Sequence, residues 1–303
     1  MTTANSWGTP QKTVKRTNRP NQETRKLWEG IIAIVNEPDF ARSVLTTRQI
    51  YYQCVVRGFI DQNSQAQYDR VQRAVLQMRR QDAIPWAKIR DGHRERITWR
   101  TYNELSAALE DTAQLYRRNV MRSQPIHLEL WIEKDSLAGW LRPLAMRYGI
   151  PYAALRGFSS DGFQFDAAEE WRDLGRPVVV IYAGDFDPSG WTIATDLEAH
   201  LQYFYDRVTV QHIGLHSQQI RMLDLPPSFE AKKSDSRTPA FVRQFGTQCT
   251  ELDAVPPNIL QQWYENTIRS LVDIRELQNE WEHEYREKQQ LADMINNGLR
   301  GVL

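Results

Sequence analysis

The chain has 303 residues, 41% hydrophobic and 25% charged, which is ordinary for a globular protein and long enough to favour two compact units over one. A mean hydropathy of −0.61 with no long apolar run excludes a helical membrane span, and the polar N-terminus lacks the apolar stretch of a secretory signal, so a cytoplasmic protein is expected. The 38 basic and 38 acidic side chains cancel overall but not locally: residues 1–100 hold 18 Lys/Arg against 9 Asp/Glu, and that basic part is where a polyanion would bind.

Residues 1–20 are polar, without hydrophobic periodicity, and read as a flexible basic arm. From Asn21 to about Glu37 the residues Leu27, Ile31, Ile32 and Val35 recur at helical spacing, and Pro38 closes the run. Thr46-Thr47-Arg48-Gln49 matches a capping box and starts a second helix that runs through IYYQCVV to Gly58. A third helix carries Tyr68, Val71, Val75 and Met78 on one face and Arg70, Arg73, Arg79 and Arg80 on the other. The segment IPWAKIRDGHRERITW then has two β-prone runs around Asp91-Gly92, a hairpin signal, with Arg94 and Arg96 on it. Helices followed by a basic hairpin predict a winged helix-turn-helix over 21–100. Its third helix would enter the major groove of DNA and its hairpin would lie along phosphates.

Residues 101–125 predict a connecting helix ended at Ser123-Gln124-Pro125. Over 126–216 strands alternate with helices: IHLELWI, DSLAGWLRPLAMRYG, PYAAL, SSDGFQFDAAEEWRDLG, PVVVIYAG, SGWTIATDLEAHLQYFY and RVTVQHIG. Such alternation predicts a parallel sheet covered by helices. Residues 217–303 form a C-terminal extension that includes a Lys232-Lys233-Ser234-Asp235-Ser236 loop and two amphipathic helices within 257–298. The expected fold class is therefore α/β, an N-terminal winged helix followed by a parallel-sheet domain with a helical extension.

Two strands of that sheet end in acid: one in Glu133, the other in Asp185-Phe186-Asp187-Pro188-Ser189-Gly190. Ligands of open parallel sheets bind at the carboxyl ends of strands. Asp185 and Asp187, two apart as a strand runs out, are expected to point the same way and to repel unless a cation lies between them. With only Cys54 and Cys249, and no paired histidine motif, the expected ion is hard and oxygen-bound, Mg2+ above all. Lys134 and Asp135 follow the strand-end Glu133 and have a phosphate, metal or capping role open to them; Arg156-Gly157-Phe158-Ser159-Ser160 ends the second strand and has either a phosphate or a turn role.

A strand-end glutamate followed by a strand-end Asp-x-Asp resembles the Toprim domain of topoisomerases, primases and related nucleases. TTRQIYYQ, WIEKDS and IYAGDFDPSGWTI together resemble the A subunit of topoisomerase VI and the related meiotic double-strand-break protein, over roughly residues 40–215. The resemblance implies a Toprim core over 126–216, with Arg48, Tyr51 and Tyr52 matching the family's arginine, aromatic residue and catalytic tyrosine. It also implies Mg2+ at Glu133, Asp185 and Asp187, a homodimer in which one chain's tyrosine meets the other's metal, a separate ATPase subunit as partner, and a 5′ phosphotyrosyl link to DNA. Helix geometry puts Tyr51 in the apolar face and Tyr52 at its edge, one turn from Arg48, where it would be available. Glu251, in CTELDAVPP, resembles a late acidic motif of these proteins.

Three readings follow. In the first, Tyr52 attacks the DNA backbone. In the second, a metal-dependent nuclease hydrolyses it and Tyr52 only packs. In the third, the chain is a non-catalytic DNA-binding module whose affinity rests on salt and on arginines such as Arg79 and Arg80.

Overall fold

The computed structural model describes residues 21–37, 45–60, 64–89, 99–157 and 159–300. It is a mixed α/β structure, 61% helical, with a four-stranded parallel sheet and a helical C-terminal part. The basic arm, the Asp91-Gly92 hairpin, Arg94 and Arg96 lie outside the described residues.

Three helices come first: α1 (Gln22–Asn36), α2 (Thr47–Val56) and α3 (Gln65–Arg80). Each starts at a side-chain cap, from Asn21, Thr46 and Ser64 respectively, which satisfies an amide that the first turn leaves unpaired. The box at Thr46 is reciprocal: its hydroxyl accepts from the Gln49 amide at 3.2 Å, and the Gln49 side chain accepts from the Thr46 amide at 2.7 Å. On α1 the buried residues are Leu27, Ile31, Ile34 and Val35, whereas Ile32 faces solvent at 36% exposure. A helix advances about 100° per residue, so the stripe holding 27, 31 and 35 takes 34 rather than 32. Trp86–Lys88 forms a single 3-10 turn instead of the start of a strand, and Ile89 then bridges to Leu45 in parallel.

The connecting helix is short. α4 (Leu105–Leu115) stops at Tyr116, and residues 116–124 cross instead to the last helix. The Tyr116 hydroxyl donates to Glu287 at 2.7 Å, Arg118 pairs with Glu280 at 2.5 Å, and Gln124 exchanges hydrogen bonds with the backbone of Asp273. These charged contacts take up groups that a continuous helix would have left in water.

The sheet comprises β1 (His127–Ile132), β2 (Tyr152–Ala154), β3 (Val178–Ala183) and β4 (Val208–Gly214), all parallel, in the order β2-β1-β3-β4. Its period-two alternation separates two buried faces. Leu128, Leu130, Ile132, Ile181 and Ala183 join the core formed with α5 (Asp135–Tyr148) and α10 (Pro257–Leu271). Trp131, Val178, Val180, Tyr182 and Val208 face α6 (Asp161–Leu174) and α7 (Pro188–Phe204). The remaining elements are α8 (Ser217–Met222), the antiparallel pair β5 (Phe229–Glu230) and β6 (Gln248–Cys249), α9 (Thr238–Phe245) and α11 (Ile274–Arg300). Every strand and helix expected between 126 and 216 is present, as are the two late helices. One hydrophobic cluster runs from Leu27 on α1 through the sheet to Leu277 on α11. Among the described residues no helix is long and apolar enough to cross a membrane.

Candidate functional site

In this strand order the chain leaves β1 toward β2 on one side, while β3 lies on the other. The helix after β1 covers one face of the sheet and the helix after β3 the opposite face. That reversal leaves a crevice at the carboxyl ends of β1 and β3, the position where open α/β sheets bind ligands. Glu133 follows β1 and Asp185 follows β3 by one further residue, so the register that pairs Ile132 with Ala183 brings them together. The Glu133 carboxylate accepts from the Asp185 amide at 2.8 Å and from the Tyr182 hydroxyl at 3.4 Å.

Asp185 and Asp187, expected from their spacing to share a cation, are each held by different partners. Asp185 is buried; it accepts from the Leu252 amide at 2.8 Å and pairs with the Lys134 ammonium at 2.8 Å. Asp187 caps α7, accepting from the Gly190 amide at 2.7 Å. The reason is local: Phe186 bridges to Thr250, which draws the 250–254 segment against Asp185, while Pro188 starts a helix whose first amides Asp187 satisfies.

Two acidic residues join from this segment. Lys134 sits 2.9 Å from Glu251 and 3.7 Å from Asp253, and Arg48 pairs with the same two carboxylates at 2.6 and 3.5 Å. Asp253 also accepts from the Ser136 hydroxyl at 3.0 Å. Asp253 drew no notice in the sequence, although Glu251-Leu252-Asp253 repeats the acid-x-acid spacing of Asp185-Phe186-Asp187. Lys134 acts as an internal cation, and Asp135 pairs with Arg156 at 3.2 Å.

The electrostatics follow from this crowding. Burial pushes the Glu133 carboxyl upward and the like charge of Asp187 adds to it, against the Asp185 amide and Lys134. Burial also drives Asp185 well above the carboxylate range, with Glu133 and Glu251 adding and Lys134 opposing. Glu251 is pushed up by burial, yet Lys134, Tyr52 and Arg48 together hold it below its ordinary value. Glu133, Asp185, Glu251 and Asp253 are thus four carboxylates about Lys134 and the partly exposed Arg48, while Asp187 lies in the field of Arg237.

Tyr51 and Tyr52 are both buried, at 3% and 4% exposure, so Tyr52 is not the available edge residue that α2 alone suggested. The Tyr51 hydroxyl is anchored to the backbone of Ser64. Tyr52 is covered because Arg48 lies over its ring, 5.5 Å from the centroid, and because the turn around Glu251 packs on α2. Arg48 donates to the Tyr52 hydroxyl at 3.4 Å. Burial, then the charge of Glu251, hold the phenol well above its ordinary value. A cleft of about 550 Å3 reaches Tyr52, Arg48, Glu251 and Lys232; one of about 480 Å3 reaches Glu133, Lys134 and Arg156; a third of about 380 Å3 reaches Asp187 and Glu251.

Of the arginines expected to meet DNA, Arg73 and Arg80 are exposed on α3, and Arg70 lies 3.5 Å from Glu23. Arg79 is engaged within the fold, stacked 4.2 Å above the Trp86 ring and donating to the Trp86 carbonyl at 3.1 Å.

Among the described residues no three His, Cys, Asp or Glu side chains are set as a metal-ligand group in this arrangement. The donor chemistry still fits a hard divalent ion: the candidate donors are carboxylate oxygens, and the like charge of Asp187 is among the causes that push Glu133 upward. No family model matches the chain, and no curated protein matches it significantly.

Proposed function

We propose that the chain binds DNA and cleaves its phosphodiester backbone at the crevice between β1 and β3, with a divalent cation on Glu133, Asp185 and Asp187 and Tyr52 as the attacking group, like the topoisomerase VI A subunit it resembles. The observation that carries this reading is the unbroken polar chain from Tyr52 through Arg48 and Glu251 to Lys134 and Asp185. It ties a phenol, within one chain rather than across the dimer that the resemblance implied, to an acidic strand-end site of the kind that can hold a cation for phosphate chemistry.

When bound, Mg2+ supplies positive charge to the phosphoryl oxygens and the leaving oxygen. The chain's own residues do the rest. Arg48 is 42% exposed in its side chain and presents a fork that suits a phosphate. Moving from Glu251 to a DNA phosphate, it would uncover the Tyr52 hydroxyl. Tyr52 Oη then gives its proton to Glu251, with which it already hydrogen-bonds, and attacks phosphorus; the P–O3′ bond breaks, the 5′ phosphate stays on the tyrosine, and the 3′ oxygen takes a proton from water and leaves as a hydroxyl. Arg73 and Arg80 hold the flanking duplex by its phosphates.

Hydrolysis without a covalent step is the second reading, favoured by the 4% exposure of Tyr52. Incubation of supercoiled plasmid with Mg2+ or Mn2+, followed by detergent denaturation, separates the two. The first reading predicts nicked or linear DNA carrying protein, lost in both Tyr52→Phe and Asp185→Asn. Cleavage that survives in Tyr52→Phe with free ends transfers the case to the hydrolase, and absence of any cation-dependent cleavage defeats both.

A further inference from the structure

At the carboxyl ends of β3 and β4, beside the first two turns of α7, lies a cavity of about 260 Å3. Its walls are aromatic: Phe245 packs edge to face against Phe186 and Trp191, with ring centroids 5.1 and 6.0 Å apart. His212 and His216 line it too, 4.4 Å between centroids, and Thr195 at its edge is exposed to solvent. His216 is fixed by donating from Nε2 to the His212 carbonyl at 3.2 Å, whereas Nε2 of His212 is buried without a hydrogen-bond partner. A bare buried ring nitrogen costs free energy that a ligand with a matching group recovers. Burial and the neighbouring His216 hold His212 neutral near pH 7, so it offers hydrogen bonding without charge. Among the described residues no Lys or Arg lines the cavity, and Asp185 does, which disfavours an anion such as phosphate. The volume falls just below the roughly 300–1,000 Å3 of sites for drug-sized ligands, which leaves room for one ring system. Aromatic walls with neutral imidazoles suit an uncharged planar heterocycle.

We propose that this cavity is a nucleobase pocket, with the base set against the Trp191 and Phe245 rings and its polar edge hydrogen-bonded to His212 and His216. Asp185 borders both the cavity and the crevice, so the two adjoin. A base turned out of the duplex beside the scissile phosphate would enter it, since an unstacked base is held by aromatic contact and by its hydrogen-bonding edge. That the pocket takes a nucleobase concerns the protein alone; that the base belongs to DNA rests on the function proposed above.

The probes are adenosine, guanosine, cytidine and thymidine, with ribose and inorganic phosphate as controls, in saturation-transfer NMR and calorimetric titration without DNA or divalent cation. The natural chain is expected to bind at least one nucleoside saturably through its base protons, and neither control. Ala194→Leu, which fills the cavity, should abolish binding. His212→Phe, which keeps a ring and removes its nitrogens, should weaken binding roughly tenfold, and circular dichroism should be unchanged in both variants. Should Ala194→Leu not fold, the natural chain and His212→Phe decide alone. A duplex carrying 2-aminopurine then separates the sources. Fluorescence that rises with the natural chain and not with Ala194→Leu assigns the pocket to a DNA base, whereas nucleoside binding without that rise keeps the pocket, assigns it to free nucleosides and overturns the DNA half. Because the nucleoside titration contains no DNA, it can succeed where plasmid cleavage fails, and fail where cleavage succeeds. Absence of nucleoside binding by the natural chain, or binding that both substitutions leave unchanged, overturns the proposal.

Discussion

Gly190 shows how little room the acidic turn has. A Cβ there would fall on the carbonyl oxygen of Asp185, backbone that cannot swing aside. Gly190→Ala should therefore displace either the Asp185 backbone or the Asp187 cap, lowering stability by about 2 kcal/mol and cation affinity with it; a denaturant melt together with a Mn2+ titration checks both. His212, on β4 beneath the Tyr182 ring, makes a pH prediction. Burial, with His216 beside it, pushes its pKa down from 6.5 to about 4. Between those values the unfolded chain takes up a proton that the folded chain refuses, so stability is complete above 6.5 and is lost as pH falls toward 4. Denaturant midpoints taken from neutral pH to about 5 should drop in the natural protein and drop less in His212→Gln. Glu133, Asp185 and Asp187 were legible as strand-end acids, since hydrophobic runs mark where strands stop. The burial of Tyr52 was not, because helical periodicity tells which side of α2 meets its own core and says nothing of a segment some 200 residues later that covers the other side.

The elements that read best were those with both a clear period and end signals. Ser160 and Gly175 bound α6, and Gly149 closes α5 in a left-handed turn. The connecting helix was misjudged because its sequence is helix-compatible; distant glutamates on α11, invisible to local pattern, drew Tyr116 and Arg118 out of it. The capping box of α2 has consequences beyond its own turn, since it fixes the first helical residues and hence where Arg48 emerges toward Glu251 and Asp253. Thr46→Ala should cost about 1 kcal/mol in a chemical melt. It should also weaken the grip of Arg48 on the acidic segment, seen as increased hydrogen exchange at amides 251–254; unchanged exchange there would uncouple the cap from the site.

Over the whole molecule, the sheet is what converts dispersed acids into one site, and its far side depends on a buried polar centre that the alternating pattern hid. Glu129 is 7% exposed in the middle of β1 and accepts from the indoles of Trp131 and Trp171 at 3.2 and 3.1 Å and from His127 at 3.0 Å. Glu129→Ala would strand two indole N–H groups in the core and is expected to destabilise by about 3 kcal/mol, whereas Glu129→Gln, which keeps an acceptor, should lose less. The opposite imbalance holds at the crevice, where Glu133, Asp185, Glu251 and Asp253 share two cations, Lys134 and the partly exposed Arg48. Folded protein should gain stability from any divalent ion that binds there, because such an ion favours the native state by mass action. Mn2+ titration of the natural chain beside Glu133→Gln and Asp187→Asn tests this most directly. The account predicts saturable binding near one equivalent per chain that raises the melting temperature and is weakened at least about tenfold by either substitution. Binding indifferent to both substitutions, or no binding at all, would contradict it.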